Sequence, residues 1–226
     1  MDRLREDKDL RNRRHVFEDR SAAGKLLAEK LENYRGTDGF IYAIPSGGVP
    51  VAAEIAKALS LPIDVIIVRK LQIPDNPEAG FGSLGPEGEV IFNEELLGSL
   101  RLSEEEIETQ VQKAAAIIRN RERVFRGGRP LRSCRNKIAI IVDDGLASGY
   151  TMLAALRFLK EELPSRLVVA VPTGSEGTVG RILSEADEVI CLNVRSGFSF
   201  AVADAYRKWY DLTDREVVQV LKNQHG

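Results

Sequence analysis

Two adjacent carboxylates at the end of an apolar run are the residues of this sequence best suited to carry chemistry. They follow the apolar residues 138–142 directly, and a loop that contains two glycines comes next. If a helix follows, the backbone amides at its start form a cradle for a phosphate group, and nearby hydroxyls add donors. The carboxylates can hold sugar hydroxyls and a Mg²⁺ ion. The pattern therefore predicts a sugar-phosphate site formed by Asp143, Asp144, Gly145, Ala147, Ser148, Gly149, Tyr150 and Thr151.

Composition and charge exclude several other functional classes. Lys and Arg number 32 against 34 Asp and Glu, and this net charge of -2 argues against a dedicated nucleic-acid binder or a polybasic membrane-surface protein. Two His and two Cys exclude a disulfide framework and nearly exclude a His–Cys zinc site. His15 and His225 offer poor support for catalysis by histidine. Cys134 and Cys191 are interpreted as reduced, buried thiols of a cytoplasmic protein.

The elements that must position these residues alternate between strands and helices. Short apolar runs predict strands at 40–44, 65–68, 89–92, 138–142, 167–171 and 189–192. Helices are predicted between them at 49–59, 151–162 and 176–185. This alternation predicts an α/β fold with a parallel sheet covered by helices on both faces. Such sheets bind ligands beyond the carboxyl ends of their strands, which is where the two carboxylates lie.

The segment from Ala139 to Thr151 resembles the phosphoribosyl diphosphate (PRPP) motif of the type I phosphoribosyltransferases. That motif has four apolar residues, two acidic residues, a short spacer, a small or hydroxyl residue, Gly, any residue and Thr. A plain strand, turn and helix with Asp as the helix N-cap is the alternative, which the length and order of the match disfavour. Residues 17–20, 76–78 and 206–210 resemble a branch of stand-alone predicted phosphoribosyltransferases of bacteria and archaea. The resemblance implies a Rossmann-like parallel sheet with a small hood and a long helical insertion.

The resemblance also implies a reaction and a role for each site residue. The 5-phosphoribosyl group of PRPP passes to an unidentified acceptor, expected to be a nucleobase, and diphosphate leaves with Mg²⁺ bound. Asp143 and Asp144 would hold the ribose hydroxyls and the metal, and the loop 147–151 would hold the 5-phosphate. The segment 44–52 resembles the diphosphate loop of the family, and two cations follow at 69 and 70. Diphosphate would be bound by Ser46, Gly47, Gly48, Arg69 and Lys70, with Lys70 counted as catalytic together with the acidic pair.

The sequence departs from the family pattern at three positions. Ser46 stands where the branch usually has Arg, and Tyr150 is bulkier than the usual residue of the phosphate loop. Ala147 stands where hypoxanthine-type enzymes carry an acidic residue near the purine, which disfavours that mode of base recognition. The loss of a cation at position 46 leaves an alternative function open, namely a non-catalytic regulator of the same fold that binds PRPP or nucleotides.

A length of 226 residues is interpreted as one domain with a helical insertion at 93–130 and a C-terminal hood at 193–226. A capping box at Ser103 predicts a long helix over 103–125 that ends at Gly127.

Residues 71–88, rich in Gly and Pro, are predicted to form a mobile loop that closes over the substrates. Their G-x-G-x-x-G pattern, 80–85, is not interpreted as a dinucleotide fingerprint, because no helix can open there. Phe198 and Phe200 either stack on a base in the hood or pack in the core.

The stretch from Arg119 to Lys137 holds eight basic residues and one acidic residue. It is either a patch that binds phosphate or a polyanion, or a solvated helix end favoured by the helix dipole, and the second interpretation is preferred.

The partners that the resemblance implies are PRPP and a small-molecule acceptor, and a homodimer is the common state of the fold. No membrane partner is expected, because no apolar run approaches the ~20 residues of a bilayer span.

Overall fold

The computed structural model describes residues 3–74, 76–197 and 200–224, which form two sheets and seven α-helices within those ranges. The strands are β1 (Leu4–Arg5), β2 (Gly39–Ala43), β3 (Ile63–Val65), β4 (Arg69–Ile73), β5 (Asn76–Leu84), β6 (Val90–Phe92), β7 (Ile138–Val142), β8 (Arg166–Ser175) and β9 (Glu188–Arg195). The helices are α1 (Arg20–Lys30), α2 (Gly48–Leu59), α3 (Glu94–Leu100), α4 (Glu104–Arg126), α5 (Tyr150–Glu161), α6 (Glu176–Leu183) and α7 (Asp214–Lys222).

The main sheet has six parallel strands in the order β1-β9-β8-β7-β2-β3. Its register aligns the last residue of β2, Ala43, with Val142, the last residue of β7. Val142 is in turn level with Ala170 of β8. The loops that follow β2 and β7 therefore leave the same edge of the sheet side by side, as the predicted site requires.

Helices cover both faces of this sheet, and the strands are buried on both sides as predicted. Ile41, Ile140 and Val168 pack with residues of α1 and α2, such as Leu27 and Ile55. The alternate positions, Tyr42, Ile141 and Val169 among them, pack with residues of α5. The period-2 alternation of side chains along each strand divides the apolar residues between two cores. The predicted α/β fold is confirmed.

The second sheet corrects two predictions. The strand predicted at 65–68 is wrong, because β3 ends at Val65 and Arg69 and Lys70 open β4 of a separate antiparallel sheet, β4-β5-β6. The predicted mobile loop 71–88 is also wrong over most of its length, since β4 and β5 pair there. Phe81 is fully buried, and at Gly82 a Cβ would lie 2.5 Å from the carbonyl oxygen of Ile91. Gly82 thus allows β5 to approach β6 closely, although the Gly and Pro content of this segment had suggested a loop.

The helices agree better with their sequence signals. Ser103 and Glu106 form the predicted capping box of α4, and Gly127 ends the helix in the left-handed conformation with φ of 62°. As interpreted from its prolines, the G-x-G-x-x-G pattern opens no helix and lies on β5 and the turn after it. Helix α1 had no sequence prediction, whereas α3 lies within the helical insertion predicted at 93–130. No helix within the described ranges is both long and apolar enough to cross a membrane.

Candidate active site

The loops after β2 and β7 are in direct contact. At Gly47, which caps α2, a Cβ would lie 1.9 Å from Oδ2 of Asp144. At Gly48 a Cβ would lie 2.6 Å from the carbonyl oxygen of Val142. Neither position has room for a side chain, so both glycines are required by close approach rather than by an unusual φ. Two segments that lie about a hundred residues apart in the sequence therefore form one site.

The acidic pair is held by contacts on several sides. Oδ1 of Asp143 accepts a hydrogen bond of 2.8 Å from the amide of Asp144. Oδ2 of Asp144 accepts one of 2.9 Å from Nε of Arg20, whose side chain is 8% exposed. The hydroxyl of Tyr206 donates to the carbonyl oxygen of Asp144 over 2.6 Å. The two carboxyl groups also interact with each other through a side-chain hydrogen bond.

Burial dominates the electrostatics of this pair. Loss of solvation raises the pKa of Asp143 well above its ordinary value, and the neighbouring charge of Asp144 raises it further. Burial also raises the pKa of Asp144, although the guanidinium of Arg20 acts in the opposite direction. Two carboxylates so close together favour a shared proton or a cation between them. The pair is therefore suited to bind hydroxyl donors or a metal ion.

The loop that follows the pair presents unused backbone donors. Gly149 has φ of 79° and leads into α5, which begins at Tyr150. The amides of residues 147–152 donate to no acceptor in the described part of the chain. These amides cluster at a helix N-terminus, where the helix dipole also favours negative charge. The loop is therefore built to receive an anion such as a phosphate group.

The comparisons with known proteins assign the chain to a family. Residues 18–207 match the phosphoribosyl transferase domain. The chain belongs to the phosphoribosyl transferase family. The match includes both loops of the site, so the resemblance inferred from the sequence motif is confirmed.

Individual relatives of this phosphoribosyl transferase domain extend over most of the chain. Two Mycobacterium tuberculosis proteins that carry the provisional name phosphoribosyl transferase are 38% identical over 210 residues, which is 93% of this chain and 47% of theirs. The chain thus spans about half the length of the curated relatives it matches. The crystal structure of TT1426 from Thermus thermophilus is 36% identical, with a TM-score of 0.74, and the match covers 93% of this chain and 99% of that one.

Two cations that contact the candidate site had no predicted role. Arg20 begins α1 and lies 3.9 Å from the ring centroid of Trp209, and its Nη1 donates to the carbonyl oxygen of Tyr210 over 2.9 Å. Arg181 of α6 donates to the carbonyl oxygen of Ser148 over 3.1 Å. Both lie far from the motif in the sequence. The N-cap at Asp19, which accepts from the amide of Ala22, was a signal for α1 but not for the ion pair.

The residues predicted to bind diphosphate and those predicted to form the hood lie at different places around the two loops. Arg69 and Lys70 are consecutive on β4, so their side chains leave opposite faces of the small sheet. Burial and the nearby charge of Arg121 lower the pKa of Arg69, which places it towards α4. Lys70 extends across Gly80, where a Cβ would lie 2.3 Å from its Cγ. Ser46 lies in the loop before α2. Phe198 of the predicted hood lies outside the described residues, and Phe200 is half-buried.

Proposed function

We propose that this protein transfers the 5-phosphoribosyl group of PRPP to a nucleobase and releases diphosphate. The observation that carries the proposal is the contact between the glycine loop 46–48 and Asp144, beside a helix N-terminus with unused amides. In this proposal a diphosphate site, a diol clamp and a phosphate cradle would adjoin one another. PRPP is a substrate with all three groups.

The residues of the chain would bind PRPP by its charged and hydroxyl groups. The amides of 147–151 and the hydroxyls of Ser148 and Thr151 would hold the 5-phosphate. Asp143 and Asp144 would accept hydrogen bonds from the ribose hydroxyls. The amides of Gly47 and Gly48, the hydroxyl of Ser46 and the ammonium of Lys70 would bind diphosphate, with Arg69 as a more distant cation. These contacts fix C1 of the ribose for attack by a base nitrogen.

The donor set fits a magnesium ion that is bound together with the substrate. No group of three or more Asp, Glu, His or Cys that could hold a metal occurs in the part of the chain that the structure describes. Mg²⁺ prefers oxygen ligands and commonly shares them between one or two carboxylates and substrate phosphates. Asp143 and Asp144 are the residues that would hold it. When bound, the ion would neutralise charge on the leaving diphosphate.

The protein needs no strong nucleophile for such a reaction, because the bond from C1 to diphosphate is already activated. As that bond breaks, positive charge develops on the ribose, and the new C1–N bond forms on the opposite face. The acidic pair, beside the ribose in this proposal, would stabilise this positive charge. Donors in the loop 46–48 would stabilise the negative charge on diphosphate. The base would lie towards Tyr206 and Trp209, which reach the site from the C-terminal segment.

Diphosphate release with PRPP, Mg²⁺ and a panel of purine and pyrimidine bases tests this function. Base-dependent release is expected from the natural chain, and a loss of about a hundredfold or more is expected for Asp143→Asn with Asp144→Asn. Asp38→Asn is the matched control, because Asp38 is an exposed carboxylate with its side chain 77% accessible and lies outside the site. No PRPP binding by calorimetry would contradict the proposal.

Ser46 favours a second candidate function, that of a regulator that binds PRPP or a nucleotide without turnover. A loop with Ser in place of a cation has less positive charge with which to stabilise a leaving diphosphate. Binding of PRPP without diphosphate release across the whole panel would support the regulator. In either case we propose a cytoplasmic protein, since Cys134 and Cys191 are both buried free thiols. We also propose a homodimer, because that is the common state of the fold.

A further inference from the structure

The basic segment 119–137 lies outside the site and has a surplus of cations over carboxylate partners. Three of its eight basic residues form ion pairs: Arg121 with Asp214, Arg126 with Glu122, and Lys137 with Asp38. The other five have no carboxylate oxygen within 4.0 Å among the residues described, and these are Arg119, Arg123, Arg129, Arg132 and Arg135. A solvated helix end does not account for how three of the arginines are arranged.

Three arginines line one cavity beyond the end of α4. The cavity has a volume of about 240 Å³ and is lined by Asp64, Arg126, Arg129, Pro130 and Arg132. Asp64 is the single carboxylate of this lining, and backbone amides occupy both its oxygens. Oδ2 accepts from the amide of Arg132 over 3.0 Å and Oδ1 from that of Val65 over 2.8 Å. Three arginines therefore line a space in which, among the described residues, only Arg126 has a carboxylate partner, Glu122. The guanidinium of Arg132 also lies 5.9 Å from the ring centroid of Phe40.

Arg126 has a donor that meets no acceptor. Its side chain is 7% exposed, one terminal nitrogen donates to Glu122, and its Nε is buried without a hydrogen-bond partner among the described residues. This nitrogen has almost no accessible surface, so an anion in the cavity would meet the terminal nitrogens of the arginines rather than this atom. Arg129 donates from both its amide and its Nε to the carbonyl oxygen of Arg126, which covers the negative end of the helix. The side of the cavity next to the helix is thus positively charged.

We propose that this cavity is a second anion site, which binds inorganic phosphate or a small phosphomonoester. Guanidinium groups match the tetrahedral oxygens of phosphate and bind them through paired N–H donors. The volume lies below the ~300–1,000 Å³ of pockets for larger organic ligands, so a small anion fits and a nucleotide does not. The site shares no residue with the loops 46–48 and 143–151, and it does not depend on the proposed transferase activity.

Nuclear magnetic resonance of the arginine Nε–H groups tests this site in the full chain. The signal of Arg126, assigned by its loss in Arg126→Lys, is followed during titration with inorganic phosphate at constant ionic strength. A saturable shift is expected for the natural protein. In Arg129→Gln with Arg132→Gln the affinity should fall about tenfold or more, because two charge-assisted contacts are lost. Phosphate bound at the loop 147–151 does not affect this local readout.

Arg123→Gln with Arg135→Gln is the matched control, since it removes the same charge from exposed positions that do not line the cavity. This variant should keep the affinity of the natural protein. Equal affinity in the two double variants, or no saturable shift in the natural protein, would overturn the proposal. A shift caused by a single-stranded oligonucleotide but not by phosphate would overturn it in favour of a nucleic-acid surface, whose affinity should fall steeply with salt.

Discussion

At the scale of single residues, the acidic pair depends on its contact with Arg20. Its ion pair with Asp144 is buried, with side chains 8% and 15% exposed. Removing one partner of a buried pair leaves the other charge uncompensated, which typically costs about 3–5 kcal/mol. Arg20→Gln should therefore lower the free energy of unfolding by about that amount, and raise the pKa of Asp144 further. Urea denaturation measures the first effect, and PRPP calorimetry should show weaker binding.

Arg35→Gln is the control for this change. Arg35 pairs with Glu32 on the surface, where both side chains are more than half exposed and the pair is screened by water. Its loss should leave the unfolding free energy nearly unchanged. If Arg20→Gln behaved in the same way, the ion pair with Asp144 would not be a structural requirement of the site.

Gly149 is the second residue on which the loop geometry depends. Its φ of 79° lies in the left-handed region, and a Cβ there would lie 2.5 Å from Cγ2 of Thr178. Gly149→Ala should lower the unfolding free energy by at least about 1–2 kcal/mol, the cost of left-handed backbone for an L-residue. It should also weaken PRPP binding, because the amides of 147–151 must shift. Denaturation and calorimetry again provide the two measurements.

Gly180→Ala separates these effects from a general intolerance of larger residues. Gly180 lies in α6, and a Cβ there would meet nothing within 4 Å. Alanine is favoured over glycine within a helix by up to about 1 kcal/mol, so this variant should be as stable as the natural protein or more stable. A loss of stability in Gly180→Ala equal to that of Gly149→Ala would contradict the explanation from φ and close approach.

At the scale of elements, the sequence predicts the parallel sheet well because its signals are local. Buried strands such as Ile138–Val142 are continuous apolar runs, and α4 carries its own capping box. The hairpin of β4 and β5 could not be predicted in this way, since its glycines and prolines are typical of loops. The pairing of this hairpin is explained by two features that depend on the fold, namely the nearness of β6 and the burial of Phe81. The contact of Arg20 with Asp144, likewise, spans 124 residues and has no local signal.

The edge of the sheet at β1 depends on one buried carboxylate, that of Glu188. Oε1 accepts from Nη1 of Arg5 over 3.1 Å, and Oε2 accepts from Nη2 of Arg166 over 2.9 Å and from the hydroxyl of Tyr34. Burial acts to raise the pKa of Glu188, but these three donors together lower it below its ordinary value. Burial beside Glu188 raises the pKa of Tyr34 to about 12, so its hydroxyl stays a donor at neutral pH.

This shift predicts how the stability of the edge depends on pH. A carboxylate whose pKa is lowered on folding stabilises the fold above its unfolded pKa of about 4.3, and the effect is lost as pH falls through the folded value. Glu188→Gln should therefore be less stable than the natural protein at pH 7, and the difference should shrink below about pH 4. Urea denaturation between pH 7 and pH 3.5 measures it. Glu185→Gln, on a half-buried carboxylate whose single partner among the described residues, Lys160, is exposed, should follow the natural pH curve throughout.

At the scale of the whole molecule, the site joins parts of the chain that are far apart in sequence. The loops after β2 and β7, the start of α1 and the C-terminal segment 206–210 all contact Asp144 or its neighbours. The sequence motifs identified two of these four parts, because the loop after β2 carries its own glycines and the loop after β7 carries glycines and carboxylates. The other two contribute an arginine and aromatic rings whose roles depend entirely on the fold. A ligand bound here should therefore stabilise the whole domain rather than one loop.

This coupling leads to a prediction for thermal unfolding. A ligand that binds only the native state raises stability by about 2.7 kcal/mol when its concentration is 100 times its Kd. PRPP with Mg²⁺ should raise the melting temperature more than PRPP alone, because the ion would neutralise charge between the substrate and the acidic pair. Asp143→Asn with Asp144→Asn should remove the extra increase due to Mg²⁺ while part of the response to PRPP remains through the amides of 147–151. An equal response to Mg²⁺ in both proteins would place the metal elsewhere than on the acidic pair.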